Sequence, residues 1–297
     1  MVPRAGAIIV PVPKPGGCAM MRPDALPWSK TAAPIWEMVC GYESAVRRQQ
    51  ALFMLTAHFD DSWNEDVFVV AGFIATAEAW AAFSDEWSLI LGSPRGIGKL
   101  VANDAMKMRG EFHGFSTEER DRKLDALARI INEYASLEVF CMLPVKSLNE
   151  EFKRTGLPKE AADPYYHAML SVIHGIASQQ IANGTIEEVH FIFDEKKKQE
   201  AQIYKAWGEV AESQTEEMRT IMGRTPTFDS DDKVLPLQAA DWAAWHRREQ
   251  GILKAEFHLN ERPWRRVPAI GGFVPEGKIR EAFAQIAEGY AKRSSGQ

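Results

Sequence analysis

Two short apolar runs lying far apart in the chain each end on aspartate, and this coincidence constrains the fold more than any other feature. Met54 to Phe59 leads into Asp60-Asp61, and Val189-His190-Phe191-Ile192-Phe193 leads into Asp194. Short runs rich in β-branched and aromatic residues, bounded by turn formers, read as strands. A strand end fixes the stem of a side chain while its carboxylate still reaches solvent, as a catalytic group or metal ligand requires. The plainer reading is local chemistry: Asp60-Asp61 opens a turn, and Asp194 caps the helix after it.

Around these runs, strand and helix patterns alternate, which sets the class as α/β with one main domain in a chain of 297 residues. Val67 to Ala75 follows the first run across Asp61-Ser62-Trp63-Asn64 and predicts an antiparallel hairpin. Thr76 caps a helix from about Ala77 to Leu91, whose Trp80, Phe83 and Trp87 form a core-facing stripe. Ser116 and Glu119 make a capping box for a helix to about Tyr134, and Leu137 to Val145 then alternates as a strand. Asp163-Pro164 opens a helix that Asn183-Gly184 closes, and a polar helix spans about Lys198 to Met218. Thr225 to Phe228 reads as a short edge strand, Pro236 opens a helix through Trp245, and a last helix covers about Glu276 to Lys292.

Residues 1–53 carry many prolines with little periodicity and read as a disordered arm, or as an extension ahead of a start at Met54. The expected domain is 54–250, followed by a C-terminal helical extension, 251–297. Gly92 to Thr117 is irregular and too long for a simple connection, so it reads as the rim of an active site.

No window approaches the roughly 18 uninterrupted apolar residues of a membrane span, so no membrane partner is expected. Cys18, Cys40 and Cys141 lack the spacing of a disulfide framework or a zinc site, which points to a reducing, cytoplasmic compartment. A formal net charge of −6 argues against coating of nucleic acid but leaves room for a local basic groove. The segment from Gly92 to Lys99 has the glycines and lysine of a phosphate loop but follows a helix rather than a strand, so it is discounted.

Asp241 shares a helical stripe with Leu237, Ala244 and Trp245 and therefore faces the protein body, where a carboxylate is costly unless paired or bound to metal. The competing reading is a buried ion pair with Arg219 or Arg224. Gln238 lies beside Asp241 and could orient it or a ligand. Clustered carboxylates suit Mg2+ or Mn2+, hard ions that take oxygen ligands. Two such ions about 3.5–4 Å apart would serve phosphodiester hydrolysis by activating a water and stabilising the leaving oxygen. Glu111 and His113 alternate in a short strand-like stretch and are candidates for a fourth carboxylate and a proton shuttle, with loop polarity as the alternative. Lys107 and Lys233 are candidate phosphate contacts.

Taken together, His58-Phe59-Asp60-Asp61-Ser62, Val189 to Asp194, and Phe228-Asp229-Ser230 through Pro236-Leu237-Gln238-Ala239-Ala240-Asp241 resemble the bacterial domain-of-unknown-function 3800 family. The resemblance runs from about Met54 to Arg248. It implies a ribonuclease H-like mixed sheet flanked by helices, with Asp60, Asp194 and Asp241 as metal ligands and Ser230 and Gln238 as accompanying polar positions. The family pattern has glycine where this chain has Trp63, and no sharp motif fixes the glutamate expected between the first two aspartates; Glu111 is its best candidate.

The resulting expectation is a metal-dependent phosphodiester hydrolase, a nuclease acting on DNA or RNA, with Asp61 and Glu111 assisting the three ligands. Arg247, Arg248, Arg262, Arg265 and Arg266 are the candidate phosphate track. Two rivals are a non-catalytic binding or assembly module, with Trp63 and Trp264 marking an exposed partner surface, and a phosphatase acting on small phosphate esters.

Overall fold

The computed structural model describes residues 29–40, 54–158, 163–251 and 262–294. Strands β1 (Leu55–Trp63), β2 (Val67–Thr76) and β3 (Leu137–Pro144) form an antiparallel meander. Strand β4 (Val189–Asp194) runs parallel beside β1, β5 (Thr227–Asp229) parallel beside β4, and β6 (Ala269–Phe273) parallel beside β3. The sheet therefore reads β5-β4-β1-β2-β3-β6 across its width. Helices α1 (Ala33–Cys40), α2 (Ala77–Gly92), α3 (Ala102–Met106), α4 (Thr117–Tyr134), α5 (Val145–Thr155), α6 (Pro164–Ala182), α7 (Lys197–Glu212), α8 (Glu216–Met222), α9 (Pro236–Gln250) and α10 (Glu276–Ser294) occupy the connections. This is the expected α/β class, a six-stranded mixed sheet flanked by helices.

Both faces of the sheet are covered, and the two-residue period of the strands assigns side chains to two cores. Val69, Ala71 and Phe73 of β2 pack with Trp80 and Trp87 of α2, Leu127 of α4 and Trp242 of α9. Ala57 and Phe59 of β1, Val70 of β2 and Phe191 and Phe193 of β4 pack on the opposite face with Met169, Val172 and Ile173 of α6. The predicted caps form: Thr76 accepts from the Ala79 N–H, Ser116 and Glu119 close both arms of their box, and Asp163 accepts from the Tyr165 N–H. The single helix expected over 198–218 is instead two, because Thr215 accepts from the Met218 N–H and starts α8.

Two domain boundaries need correction. Residues 29–40 belong to the core: Ala32, Ile35 and Trp36 are buried against α2, and Ser29 and Thr31 both donate to Asp85. Proline spacing hid this, since an eight-residue helix with one apolar side is too short to stand out by periodicity; the rest of 1–53 lies outside the described residues. Nor are residues 262–294 an extension. β6 pairs along β3, Trp264 and Val267 enter the α9-side core, and Ile279 and Phe283 of α10 enter the α6-side core.

Arg247 of α9 and Arg262 fasten this C-terminal segment to the sheet by converging on Glu138 of β3. Arg247 Nε lies 2.7 Å from Glu138 Oε1, while Arg262 Nη1 and Trp264 Nε1 both donate to Oε2. All four side chains are buried. Arg247 and Arg262 are thus removed from the expected phosphate track, and Trp264 from the expected partner surface. Trp63 is exposed, at 66%. Among the described residues, no helix is long and apolar enough to cross a membrane.

Candidate functional site

Alternation along β1 separates the two sequence-adjacent aspartates. Ala57 and Phe59 point to the α6 side, so Asp61 follows them, while Thr56, His58 and Asp60 point toward α9. On β4, Val189, Phe191 and Phe193 share the α6 side and Ile192 the α9 side, which turns Asp194 toward α9 as well. Phe59 stands opposite Phe193 in the β1–β4 ladder, so Asp60 and Asp194 come next on neighbouring strands; Asp194 in turn stands opposite Asp229. Asp241 reaches this edge from α9, which packs over β1 and β2. The end of β4 thus carries Asp194 beside Asp60 within β1, just past the β1–β4 pairing and where β1 passes from parallel to antiparallel neighbours, and Asp241 joins them from α9. Crevices at such a point are where open α/β sheets bind ligands.

Each carboxylate of the group is electrostatically uncomfortable. Burial, then Asp241, then Asp194 push Asp60 well above the usual carboxylate range, against one opposing hydrogen bond from the Asp61 N–H to Asp60 Oδ1 at 2.7 Å. Burial and Asp231 raise Asp194 to about 6. Burial raises Asp241 to about 6, although Oδ2 accepts from the Ala102 N–H at 2.8 Å. Asp241 has no arginine pair of the expected kind: Arg224 instead lies 3.8 Å from Glu188.

On the α6 side, Asp61 is raised by burial and lowered by Lys196, whose Nζ lies 2.8 Å from Asp61 Oδ1. Tyr165 sits nearby, its hydroxyl pushed well up by burial and by Asp61, Asp60, Asp194 and Asp163. Asp61 therefore serves as the counter-charge to a lysine rather than as part of the Asp60, Asp194 and Asp241 group.

Gln238 is consumed by the scaffold. Its Oε1 accepts from Trp87 Nε1 at 3.0 Å and the Leu100 N–H at 3.1 Å, and its Nε2 donates to the Asp231 carbonyl at 2.9 Å. It stitches the 93–101 segment and the 229–235 turn to α9, which positions Asp241 and Asp231 rather than a ligand. Lys99 assists, lying 2.9 Å from Asp231 Oδ1 and 3.2 Å from Asp232 Oδ1.

Other candidates stand apart from this group. Glu111 is in a 3-10 turn, Gly110–Phe112, not a strand; it is exposed and accepts from the Gly98 N–H at 3.1 Å. His113 is exposed beyond the same turn, and Lys107 is exposed at the end of α3. Ser230 Oγ accepts from the Asp232 N–H at 3.3 Å, which is turn chemistry, and Lys233 is exposed 3.9 Å from Asp229 Oδ1. The turn defeats the alternation inferred for Glu111 and His113, because the left-handed Met108 and Gly110 reverse the chain there.

Sequence reasoning missed Asp231, Lys196, Lys99 and Tyr165. Asp231 sits in the Asp229-Ser230-Asp231-Asp232 run, and Lys196 follows Asp194 by two residues, so both carried a proximity signal. Lys99 belonged to the discounted glycine-rich segment. His58 is fully buried with its ring edge-on to Trp80 at 5.0 Å, and burial followed by His190 pushes it down to about 3.

A cleft of about 590 Å3 adjoins the carboxylate edge, between α1 and the 229–235 turn, and is lined by Lys30, Glu37, Asp229, Asp232 and Lys233 among others. Among the described residues, no group of three or more His, Cys, Asp or Glu side chains is drawn together tightly enough to hold a metal ion. The donors of the group are oxygen only, the ligand chemistry of Mg2+ or Mn2+, and burial first, with neighbouring carboxylates second, raises their proton affinity. No family model, curated protein or solved structure matches this chain.

Proposed function

We propose that this chain is a metal-dependent phosphodiester hydrolase of ribonuclease H-like fold, a nuclease akin to the domain-of-unknown-function 3800 family. One observation carries the reading: Asp60, Asp194 and Asp241, distant in sequence, come to one edge from β1, β4 and α9, and burial first, then the charges of Asp241 and Asp194 on Asp60 and of Asp231 on Asp194 and Asp241, raises all three above the ordinary carboxylate range. The strand arrangement supports it too. The six-stranded mixed sheet flanked by helices agrees with the mixed α/β architecture that the resemblance implies.

Asp60, Asp194 and Asp241 would hold Mg2+ or Mn2+, which supplies Lewis-acid stabilisation of charge on a phosphoryl group when bound. The residues around them fix the carboxylates. The Ala102 N–H orients Asp241, the Asp61 N–H orients Asp60, and the Gln238 and Lys99 contacts keep the 93–101 segment and Asp231 at the edge of the group. Side chains held by such contacts lose little freedom on engaging a ligand, which is what a preorganised site needs.

Calorimetric titration of manganese into the wild type and into the Asp60→Asn, Asp194→Asn double variant tests this, followed by incubation with single- and double-stranded DNA and RNA. Binding and cleavage that vanish together in the double variant are the expected result. A folded wild type that takes up no manganese overturns the reading.

A further inference from the structure

The cations bordering the acidic edge differ in how firmly they are committed. Arg247 and Arg262 are buried on Glu138. Lys99 is divided between Asp231 and Asp232, and Arg248 between Ser62 Oγ at 3.1 Å and Glu249 Oε1 at 2.8 Å. Lys196 differs: its ion pair is with the single oxygen Asp61 Oδ1, and its side chain keeps 36% of its surface exposed. It lies two residues past Asp194, and its ammonium is drawn by Asp61, Asp60 and Asp194 together. An ammonium carries three donors on a flexible stem and can change partner by rotation. Lys196 is also the N-cap of α7 without a side-chain cap, so the first amides of a sixteen-residue helix add positive potential beside it.

Accordingly, we propose that Lys196 is a substrate-binding residue: its ammonium exchanges Asp61 Oδ1 for a non-bridging oxygen of a phosphate in the substrate backbone. This rests on the phosphodiester hydrolase reading above. The exchange replaces one anionic partner by another, so the lysine stays paired throughout. It gives Asp61 a defined purpose on the far side of β1 from Asp60, that of parking the lysine beside the end of β4 while no phosphate is present. It also supplies a cation for an acidic edge that would otherwise repel a polyanion.

Lys196→Gln, Lys196→Arg and Asp61→Asn separate this from a structural ion pair. Cleavage of a labelled oligonucleotide is followed at several salt concentrations in the wild type and each variant. For Lys196→Gln, KM should rise about tenfold or more with a smaller change in kcat, and the slope of log KM against log salt should flatten by about one contact. Lys196→Arg should restore most of the salt slope. Asp61→Asn, which removes the parking partner and leaves the lysine, should hold or lower KM. If Asp61→Asn instead reproduces the Lys196→Gln profile, the pair is merely structural and the proposal fails. A cleaving wild type whose KM and salt slope ignore Lys196→Gln overturns the proposal and leaves the hydrolase reading standing. A wild type that neither binds manganese nor cleaves overturns both.

Discussion

The Ala102 N–H donates to Asp241 Oδ2 at 2.8 Å, so the buried carboxylate of α9 is held by a backbone amide and not by a counter-ion. One hydrogen bond does not offset burial, and Asp241 and Asp194 both sit at about 6, above the ordinary value of 3.8. The folded chain therefore binds more protons than the unfolded chain between these limits. The stability this confers is complete below about pH 4 and is lost as pH rises through about 6. In chelator, Asp241→Asn should be more stable than the wild type at pH 7 by about 1–3 kcal/mol, with the gap closing toward pH 4. Asparagine retains an oxygen to accept from Ala102. Urea denaturation across this pH range checks the sign, and a variant less stable at pH 7 would show that Asp241 is better compensated than its surroundings indicate.

Glu138 is the one acceptor shared by Arg247, Arg262 and Trp264, all buried. Glu138→Gln keeps the shape but leaves two buried guanidinium groups facing a neutral partner. A loss of about 3–5 kcal/mol is expected, since removing one partner of a buried ion pair strands the other charge. Chemical denaturation should show a lower midpoint. Proteolysis near residues 262–268 should accelerate, because this segment is joined to the sheet through the same glutamate.

How much of this was legible in the sequence depends on the kind of signal. Asp194 was visible because a strand is a short, local pattern and its end marks a position in space; Asp60 was visible for the same reason although β1 runs on through Asp61 and Ser62 to Trp63, so the turn expected over Asp61 to Asn64 begins only at Asn64. Asp241 was visible because a helical stripe that includes a carboxylate is anomalous. The failures share a cause: they concern partners supplied from elsewhere. Nothing local in Gln238 says that Trp87, Leu100 and Asp231 consume its amide, and nothing in Arg247 or Arg262 says that Glu138, over a hundred residues earlier, takes both. Lys196 was overlooked because a lysine opening a polar helix is ordinary until Asp61 appears 2.8 Å away.

The core role of α1 gives a direct test of the corrected boundary. Ile35 is 1% exposed and packs with the α2 side of the sheet. Ile35→Ala should cost about 2–4 kcal/mol, as for other large-to-small core changes, whereas a residue on an unattached arm would cost nothing measurable.

Gly72 bears on the site through backbone alone. It stands opposite Phe59 in the β1–β2 ladder, one step from the Asp60–Ala71 pair, and a Cβ there would overlap the carbonyl oxygen of His58 and press on the Phe59 ring. The obstructing atom is main chain inside a central strand, so it cannot swing aside as a flexible side chain would. Gly72→Ala must therefore displace β1 itself, and Asp60 follows from that strand while Asp241 is fixed separately on α9 by Ala102. The expected result is a destabilisation of more than about 2 kcal/mol. Where the variant remains folded, the metal site proposed above predicts that manganese affinity falls with it, although no carboxylate has been touched. A Gly72→Ala protein with the wild-type melting temperature and manganese isotherm would mean that β1 tolerates the shift, and that the spacing of Asp60 from Asp241 is less tightly set by the β1–β2 ladder than their fixed positions imply.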